Sequence, residues 1–142
     1  ILETGAEIIA LDATPRRRPG GETPEEILRQ IREHYPDALV MGEISTLEEA
    51  ERIIPMGFDL ISTTLSGYTR ESQEVKALNL DLIRRIHAIT DIPIIAEGKI
   101  RCEQEAVEAL KAGAHAVVVG TSITRPEIIT ERYVEAIREA EV

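Results

Sequence analysis

Short apolar runs alternate along the chain with charged, amphipathic stretches of helical length. The apolar runs predict β-strands at 7–12, 38–42, 59–62, 93–96 and 115–119. The stretches between them predict helices at 23–34, 46–55, 79–89, 103–112 and 126–140. This alternation is typical of successive βα units around a mostly parallel sheet. The pattern therefore predicts an α/β fold of about five units, in one domain that spans residues 1–142.

A glycine precedes every second predicted strand. Gly5, Gly57 and Gly113 stand at matching places in "TGAEIIALD", "MGFDLISTT" and "AGAHAVVVG", and we interpret them as residues that end helices. Two carboxylates, Glu43 and Glu97, occupy matching places in the strands between. The repeat places both carboxylates at the C-terminal ends of alternate strands.

The carboxylate of Glu97 follows a buried strand directly, in "DIPIIAEGKIRC". Ligands of parallel α/β sheets and of βα barrels bind at the C-terminal ends of the strands, where loops and helix N-termini converge. Glu97 and Glu43 are therefore candidate catalytic residues. The alternative for Glu97 is a loop acid that is solvated or paired with an arginine.

The last two βα units carry a pattern that suits an anion. Gly120 follows a buried strand in "VVVGTSITRPE", and the next amides predict a short helix whose N-terminus attracts phosphate. The same reasoning applies to Gly98 after the preceding strand, and Arg125 is suited to a bidentate phosphate contact, unless it is simply a solvated arginine. The predicted phosphate site comprises Gly98, Lys99, Gly120, Thr121, Ser122 and Arg125.

Two other loops carry candidate substrate-binding residues. The first strand leads into "ALDATPRRRPGG", where Asp12 and a run of arginines form a cationic rim in an acidic protein, unless this is a solvated turn. The loop 63–79 is long for a βα connection, and loops of this length are usually functional or mobile. The predicted substrate-binding residues of these loops are Asp12, Arg16, Arg18, Thr64 and Tyr68.

Composition excludes several classes of function. The formal net charge of −10 disfavours phosphate-backbone binding, and an aromatic content of 3% leaves few stacking surfaces, so no nucleic-acid partner is expected. No apolar run approaches 18 residues, so no membrane partner is expected. The lone Cys102 cannot form an internal disulfide and no leader pattern is visible, so we expect a cytoplasmic protein.

Cofactor and metal motifs are missing from the sequence. The histidines 34, 87 and 115 lack metal-ligand spacing, so we expect no metal. No GxGxxG fingerprint, Walker lysine motif, nucleophile elbow or Cys-x-x-Cys pair is present, so the sequence favours chemistry that needs no redox cofactor.

Five segments together resemble a known family. "GAEIIALDATPRRRP", "ISTLEEA", "GFDLISTTLSGYT", "IIAEGKI" and "AVVVGTSITRPEIIT" resemble successive motifs of the N-acetylmannosamine-6-phosphate 2-epimerases, in the family's order and spacing. The resemblance implies a (β/α)₈ TIM-barrel fold, of which this chain matches strands four to eight. It also implies interconversion of N-acetylmannosamine 6-phosphate and N-acetylglucosamine 6-phosphate, without a cofactor.

The resemblance also implies roles for individual residues. Glu97 matches the family's active-site glutamate, and Asp12, Arg16 and Arg18 match its D-A-T-x-R-x-R-P motif. Arg125 and the Gly98 and Gly120 loops match its phosphate-binding region. Glu43 stands where the family usually has an aspartate, and the family's catalytic lysine lies upstream of the matched strands.

Other interpretations remain open at this point. Another phosphate-binding barrel, such as a pentose-phosphate epimerase or an indole-synthesis type barrel, shares the anion site. A folding module or a catalytically silent sugar-phosphate binder is the non-enzymatic alternative. Five strands cannot close an eight-stranded barrel, so we expect this stretch by itself to expose its edges and to self-associate.

Overall fold

The computed structural model describes residues 2–140 and contains one five-stranded sheet. Each predicted strand is present, and its bounds agree with the prediction within one or two residues. The strands are β1 (Ile8–Asp12), β2 (Leu39–Glu43), β3 (Leu60–Ser62), β4 (Ile94–Glu97) and β5 (Ala116–Val118).

The helices follow the strands as the sequence predicts. They are α1 (Pro24–His34), α2 (Leu47–Ile53), α3 (Leu80–His87), α4 (Glu103–Lys111), α5 (Thr121–Thr124) and α6 (Pro126–Glu139). Short 3₁₀ helices lie at Leu2–Thr4, Ile54–Met56 and Arg70–Ser72. Within the described residues, no helix is both long enough and apolar enough to cross a membrane.

All strand pairs are parallel, and the strands lie side by side in the order in which they occur in the chain. Such consecutive parallel strands joined by helices are the arrangement of a βα barrel wall. In the part of the chain that the structure describes, β1 and β5 each pair with a strand on one side only.

Local signals explain where the helices begin. Thr23 accepts a hydrogen bond from the Glu26 amide at 3.2 Å, and the Glu26 side chain accepts one from the Thr23 amide at 2.8 Å. This capping box, with Pro24 at the first helical position, starts α1 as the sequence predicts. The three predicted helix-ending glycines all have positive φ: Gly5 at 81°, Gly57 at 91° and Gly113 at 110°.

The core lies between the sheet and helices α1 to α4. Six isoleucines are less than 2% exposed: Ile44, Ile53, Ile61, Ile83, Ile86 and Ile94. Burying a side chain of this size contributes roughly 1.5–3 kcal/mol. The C-terminal unit differs, because α6 has no buried residue and β5 ends in the exposed Val118. The sheet is therefore better buried at β2, β3 and β4, which carry the candidate acids and the loop 63–79, than at β5.

Candidate active site

The C-terminal ends of all five strands meet at one edge of the sheet. The register pairs Asp12 with Glu43, Glu43 with Ser62, and Glu97 with Val118. The placement of Glu43 and Glu97 at the ends of alternate strands is as predicted, because one βα unit separates β2 from β4.

Two neighbouring threonines hold Glu97 in place. Thr63 Oγ1 accepts a hydrogen bond from the Glu97 amide at 3.1 Å and donates one to the Glu97 carbonyl at 3.0 Å. Thr64 Oγ1 donates to Glu97 Oε2 at 3.0 Å. Because the backbone and the carboxylate of Glu97 are both bonded to the two residues that follow β3, the Glu97 carboxylate has a defined direction.

Glu43 holds its proton more tightly than an ordinary glutamate does. Burial raises the pKa of Glu43, and the negative charges of Glu97 and Asp12 raise it further, while the nearby Thr64 hydroxyl dipole acts in the opposite direction. A carboxyl whose pKa is raised by burial and like charges is suited to proton transfer.

A cavity of about 530 Å³ opens in front of Glu97, between the loops that follow β4 and β5. A volume of this size is within the usual range of small-molecule sites. The lining includes eight of the residues singled out from the sequence: Thr64, Tyr68, Glu97, Gly98, Lys99, Gly120, Thr121 and Ser122. The structure thus brings together five of the six predicted phosphate-site residues, Thr64 and Tyr68 of the loop 63–79, and one of the two predicted acids.

Three cations lie on the wall of this cavity: Lys99, Arg101 and Arg132. Lys99 Nζ lies 3.9 Å from the centroid of the Tyr68 ring. Arg132 Nη2 donates to the Arg101 carbonyl at 3.2 Å, and Arg101 Nη2 donates to the Lys76 carbonyl at 2.9 Å. Because Glu97 is the one acid among the lining residues, the cavity favours an anionic ligand.

The turn after β4 differs from the prediction. We expected Gly98 and Lys99 to resemble a helix start, but both residues have left-handed backbone, with φ of 97° and 61°. The next helix, α4, begins only at Glu103. Lys99 is the one non-glycine with positive φ among the described residues, so its side chain is directed by an unusual backbone.

The glycine before Tyr68 makes room for Lys99. A Cβ atom at Gly67 would lie 2.3 Å from Lys99 Cε and 2.3 Å from the Val75 carbonyl oxygen. Neither contact is sterically possible, so any other residue here would displace the lysine, the loop or both.

The turn after β5 agrees with the prediction. The short helix α5 begins at Thr121, directly after Gly120, and the first amides of a helix have no acceptor within it. Ser122 Oγ donates to the Ile100 carbonyl at 2.8 Å and joins this turn to the β4 loop. The two predicted anion-binding loops therefore form one continuous wall.

Several predicted residues lie outside the cavity lining. Arg125 forms an ion pair with Glu127 at 2.7 Å, with just over half of its side chain exposed. Glu43 also lies outside the lining.

The predicted residues of the loop after β1 lie outside the lining too, and they contact one another instead. Asp12 accepts from the amide and hydroxyl of Thr14 at 2.9 and 2.7 Å and from Arg16 Nη2 at 2.6 Å, while Arg18 donates to the Asp12 carbonyl. Although burial raises the pKa of Asp12, the hydrogen bonds from Thr14 and Arg16 lower it below its usual value.

Sequence reasoning missed two of the three cavity cations. Arg132 lies four residues after Ile128 on α6, and both residues line the cavity. The helical spacing of these residues was a usable signal, because residues four apart share a helix face. Arg101 precedes α4 in a turn whose direction no local pattern indicates.

Comparison with known proteins identifies the family. The family model described as "NanE: Putative N-acetylmannosamine-6-phosphate epimerase" matches residues 1–139. A relative from Caldanaerobacter subterraneus named "Putative N-acetylmannosamine-6-phosphate 2-epimerase" is 53% identical over 98% of this chain and 59% of its own length. A relative of the same name from Enterobacter sp. is 45% identical over 96% of this chain and 59% of its own length. This chain therefore spans about three fifths of the length of these curated relatives.

Solved structures agree with these relatives. The N-acetylmannosamine-6-phosphate 2-epimerase from Clostridium perfringens superposes with a TM-score of 0.88 at 43% identity, over 95% of this chain and 58% of that one. The thiamine phosphate pyrophosphorylase from Pyrococcus furiosus, at 24% identity and a TM-score of 0.64, shares the fold alone. The sheet described above is thus part of a TIM barrel, and the chain belongs to the N-acetylmannosamine-6-phosphate epimerase family.

Proposed function

We propose that this chain provides one acid and the phosphate site of an enzyme that interconverts N-acetylmannosamine 6-phosphate and N-acetylglucosamine 6-phosphate. The observation that carries the proposal is the position of Glu97, bonded to Thr64 on the wall of a cavity that three cations also line. An acid that faces a cationic cavity suits a substrate with a reactive carbon at one end and a phosphate at the other.

The chemistry requires a proton to leave C2 of the open-chain sugar and to return on the opposite face. The carbonyl at C1 acidifies that proton, so an acid or base within hydrogen-bond reach is sufficient and no redox step occurs. Glu97 supports ring opening or proton transfer in this scheme. Glu43, whose pKa is raised, is a second candidate for a proton-carrying group, and the family resemblance assigns the catalytic lysine to a segment outside residues 1–142.

The phosphate binds, in this proposal, between the Gly98–Lys99 turn and the Gly120–Ser122 turn. Lys99 and Arg132 are already on the cavity wall. Arg125 reaches the phosphate by leaving Glu127, which costs little because exposed ion pairs contribute only about 0–1 kcal/mol. Asp12, Arg16, Arg18, Thr64 and Tyr68 contact the rest of the sugar, the first three after the β1 loop rearranges.

The direct test is solvent proton exchange with the full-length protein. In deuterated water, N-acetylmannosamine 6-phosphate loses its C2 proton signal in NMR spectra as the second epimer forms. The matched control is the same protein with a pentose 5-phosphate, which the pentose-phosphate alternative would favour. Binding of the amino-sugar phosphate without exchange would instead establish a catalytically silent binder.

Residues 1–142 expressed alone provide a second test. Ile8 and Val118, on the two edge strands, are 46% and 42% exposed, and Ile123, Tyr133 and Ile137 are more than 60% exposed. Such edges pair readily with other chains. We therefore expect self-association in sedimentation experiments, with negligible C2 exchange, whereas a monomer with enzyme-like turnover would contradict the proposal.

A further inference from the structure

We propose that Glu49 is a positioning residue, whose buried carboxylate sets the direction of a chain of hydroxyl groups that holds the loop 63–79 against the cavity. Its effect on catalysis rests on the proposed function above, but its effect on the loop does not. Glu49 lies on α2, outside the cavity lining; it belongs to the segment "ISTLEEA", but the resemblance assigned it no role.

Glu49 makes more contacts than a helix cap requires. Its Oε2 accepts from the Thr46 amide at 3.2 Å, which completes the capping box of α2. The same oxygen accepts from the Ser45 amide at 2.6 Å and the Ser45 hydroxyl at 2.8 Å. The residue is only 6% exposed. Burying a carboxylate is costly unless it is hydrogen-bonded, and the bonds to Ser45 offset that cost. They are not needed to start a helix, so Glu49 has a further role.

The hydroxyl groups beyond Glu49 form a chain with one direction. Thr69 Oγ1 donates to Ser45 Oγ at 2.8 Å, and Thr69 Oγ1 and Ser72 Oγ lie 2.8 Å apart. An ionised carboxylate only accepts, and each hydroxyl has one hydrogen. The Ser45 hydrogen therefore belongs to Glu49, the Thr69 hydrogen to Ser45, and the Ser72 hydrogen to Thr69. A longer contact of 3.4 Å from Ser72 Oγ to the Leu65 carbonyl competes weakly for the last hydrogen.

The far end of this chain reaches the cavity wall. Ser72 Oγ accepts from the Gly67 amide at 2.8 Å, and Gly67 is the residue whose missing side chain makes room for Lys99. Tyr68, which follows Gly67 in the sequence, contacts Lys99 Nζ through its ring. Glu49 thus connects α2 to the Tyr68 and Lys99 side of the cavity through three hydroxyl groups, and all three residues are at least 94% buried.

Charge at Glu49 is what gives the chain its direction. A glutamine of the same shape is a weaker acceptor, and it brings an amide that donates. Oε1 of Glu49 receives no hydrogen bond among the described residues, so a glutamine that keeps its oxygen toward Ser45 brings two buried donors to a position where the carboxylate needed no partner. Glu49→Gln therefore loosens the loop, whichever way the amide turns.

The test uses the full-length protein with Glu49→Gln and, as the matched control, Glu48→Gln on the same helix turn. Glu48 is exposed, so its variant makes the same change in charge without touching the hydroxyl chain. Amide hydrogen exchange over 65–72 and trypsin cleavage after the exposed Arg70 report on the loop. Initial rates of C2 exchange, over a series of substrate concentrations, report on catalysis.

We expect Glu49→Gln to speed amide exchange in 65–72 roughly tenfold, the scale of one lost hydrogen bond to a charged group. Turnover falls by about tenfold or more, because small misplacements of site residues are costly. Thr69→Val removes the middle hydroxyl and keeps its shape, so it reproduces both effects if Glu49→Gln fails to fold. The double variant is no worse than the worse single variant, since the first break already disconnects the chain.

Unchanged amide exchange in 65–72 in both variants overturns the proposal. An equal loss of protection across the whole molecule also overturns it, because Glu49 would then support general stability. Effects of Thr69→Val and Glu49→Gln that simply add would show that the two residues act separately. A wild-type protein without C2 exchange defeats the proposed function, but the exchange over 65–72 still decides the role of Glu49.

Discussion

The loop after β1 and the loops after β4 and β5 both place cations at the same edge of the sheet, but they use them differently. At the β1 end, Arg16 and Arg18 turn back onto Asp12. At the β4 and β5 end, Lys99 contacts a tyrosine ring, and Arg101 and Arg132 donate to backbone carbonyls. Across residues 2–140, none of these three cations lies within ion-pairing distance of a carboxylate.

The arginines of the β1 loop therefore stabilise their own loop, whereas the three cavity cations are available to bind a ligand. An arginine paired with a carboxylate in its own loop must leave that partner before it binds anything else. A cation that faces a cavity without a carboxylate partner has no such cost. In a chain with a formal net charge of −10, three such cations on one cavity wall are the most direct indication of an anionic ligand.

The largest effect is expected at Glu97, the one acid on the cavity wall. In the full-length protein, Glu97→Gln should lower kcat roughly 100-fold or more, the usual scale for losing a general acid or base. Steady-state conversion of N-acetylmannosamine 6-phosphate measures it, with Glu103→Gln, an exposed change of the same kind at the start of α4, as the control. Turnover within a few-fold of wild type would remove Glu97 from the mechanism.

Arg125, directly before α6, and Arg132, on α6, should affect binding more than turnover. Arg132→Ala and Arg125→Ala should each raise the Kd for the 6-phosphate sugar by roughly tenfold, since a hydrogen bond to a charged group contributes about 1.5–3 kcal/mol. Arg138→Ala, exposed on the same helix, is the control, and titration calorimetry is suitable. Equal losses for the unphosphorylated sugar would show that these arginines bind some other part of the ligand.

The paired carboxylate of Asp12 should matter for stability. Because the pKa of Asp12 is lowered in the folded protein, its contribution is present at neutral pH and is lost as the pH falls through that lowered pKa. Asp12→Asn should reduce the free energy of unfolding by about 1 kcal/mol at pH 7. Urea titrations at several pH values should show that the difference in unfolding free energy between the variant and the wild type disappears below about pH 4. A gap that persists in acid would mean that the charge of Asp12 is not what stabilises the loop.

Its neighbour Glu43 should show a smaller effect of opposite sign. The pKa of Glu43 is raised in the folded protein, so ionising it costs stability as the pH rises through that raised pKa. Glu43→Gln should therefore increase the free energy of unfolding at pH 7 by less than about 1 kcal/mol, with no difference from wild type below about pH 4. Thermal unfolding of the two proteins side by side checks this, and a less stable variant at pH 7 would contradict the burial of Glu43 as the cause.

Local pattern predicted the sheet and the helices, because each predicted element depends on neighbours only a few residues away. The capping box at Thr23 and the glycines 5, 57 and 113 act within a single turn, so their residue types were enough. The strand-end positions of Glu43 and Glu97 followed from the repeat and from the rule that parallel strands end at the same edge. The helix start after Gly120 followed in the same way, whereas the left-handed turn at Gly98 and Lys99 did not.

The sequence by itself thus determined the order of elements, the edge at which the site lies and the acid that faces it. Only the tertiary structure decided which cations share the cavity with Glu97, since Arg101 and Arg132 come together from separate βα units. It also decided that Arg16 and Arg18 pair with Asp12, and that Glu49 is buried beneath a chain of hydroxyl groups. The physical reason is that hydrophobic periodicity is a local property, whereas burial and charge pairing depend on contacts between distant residues.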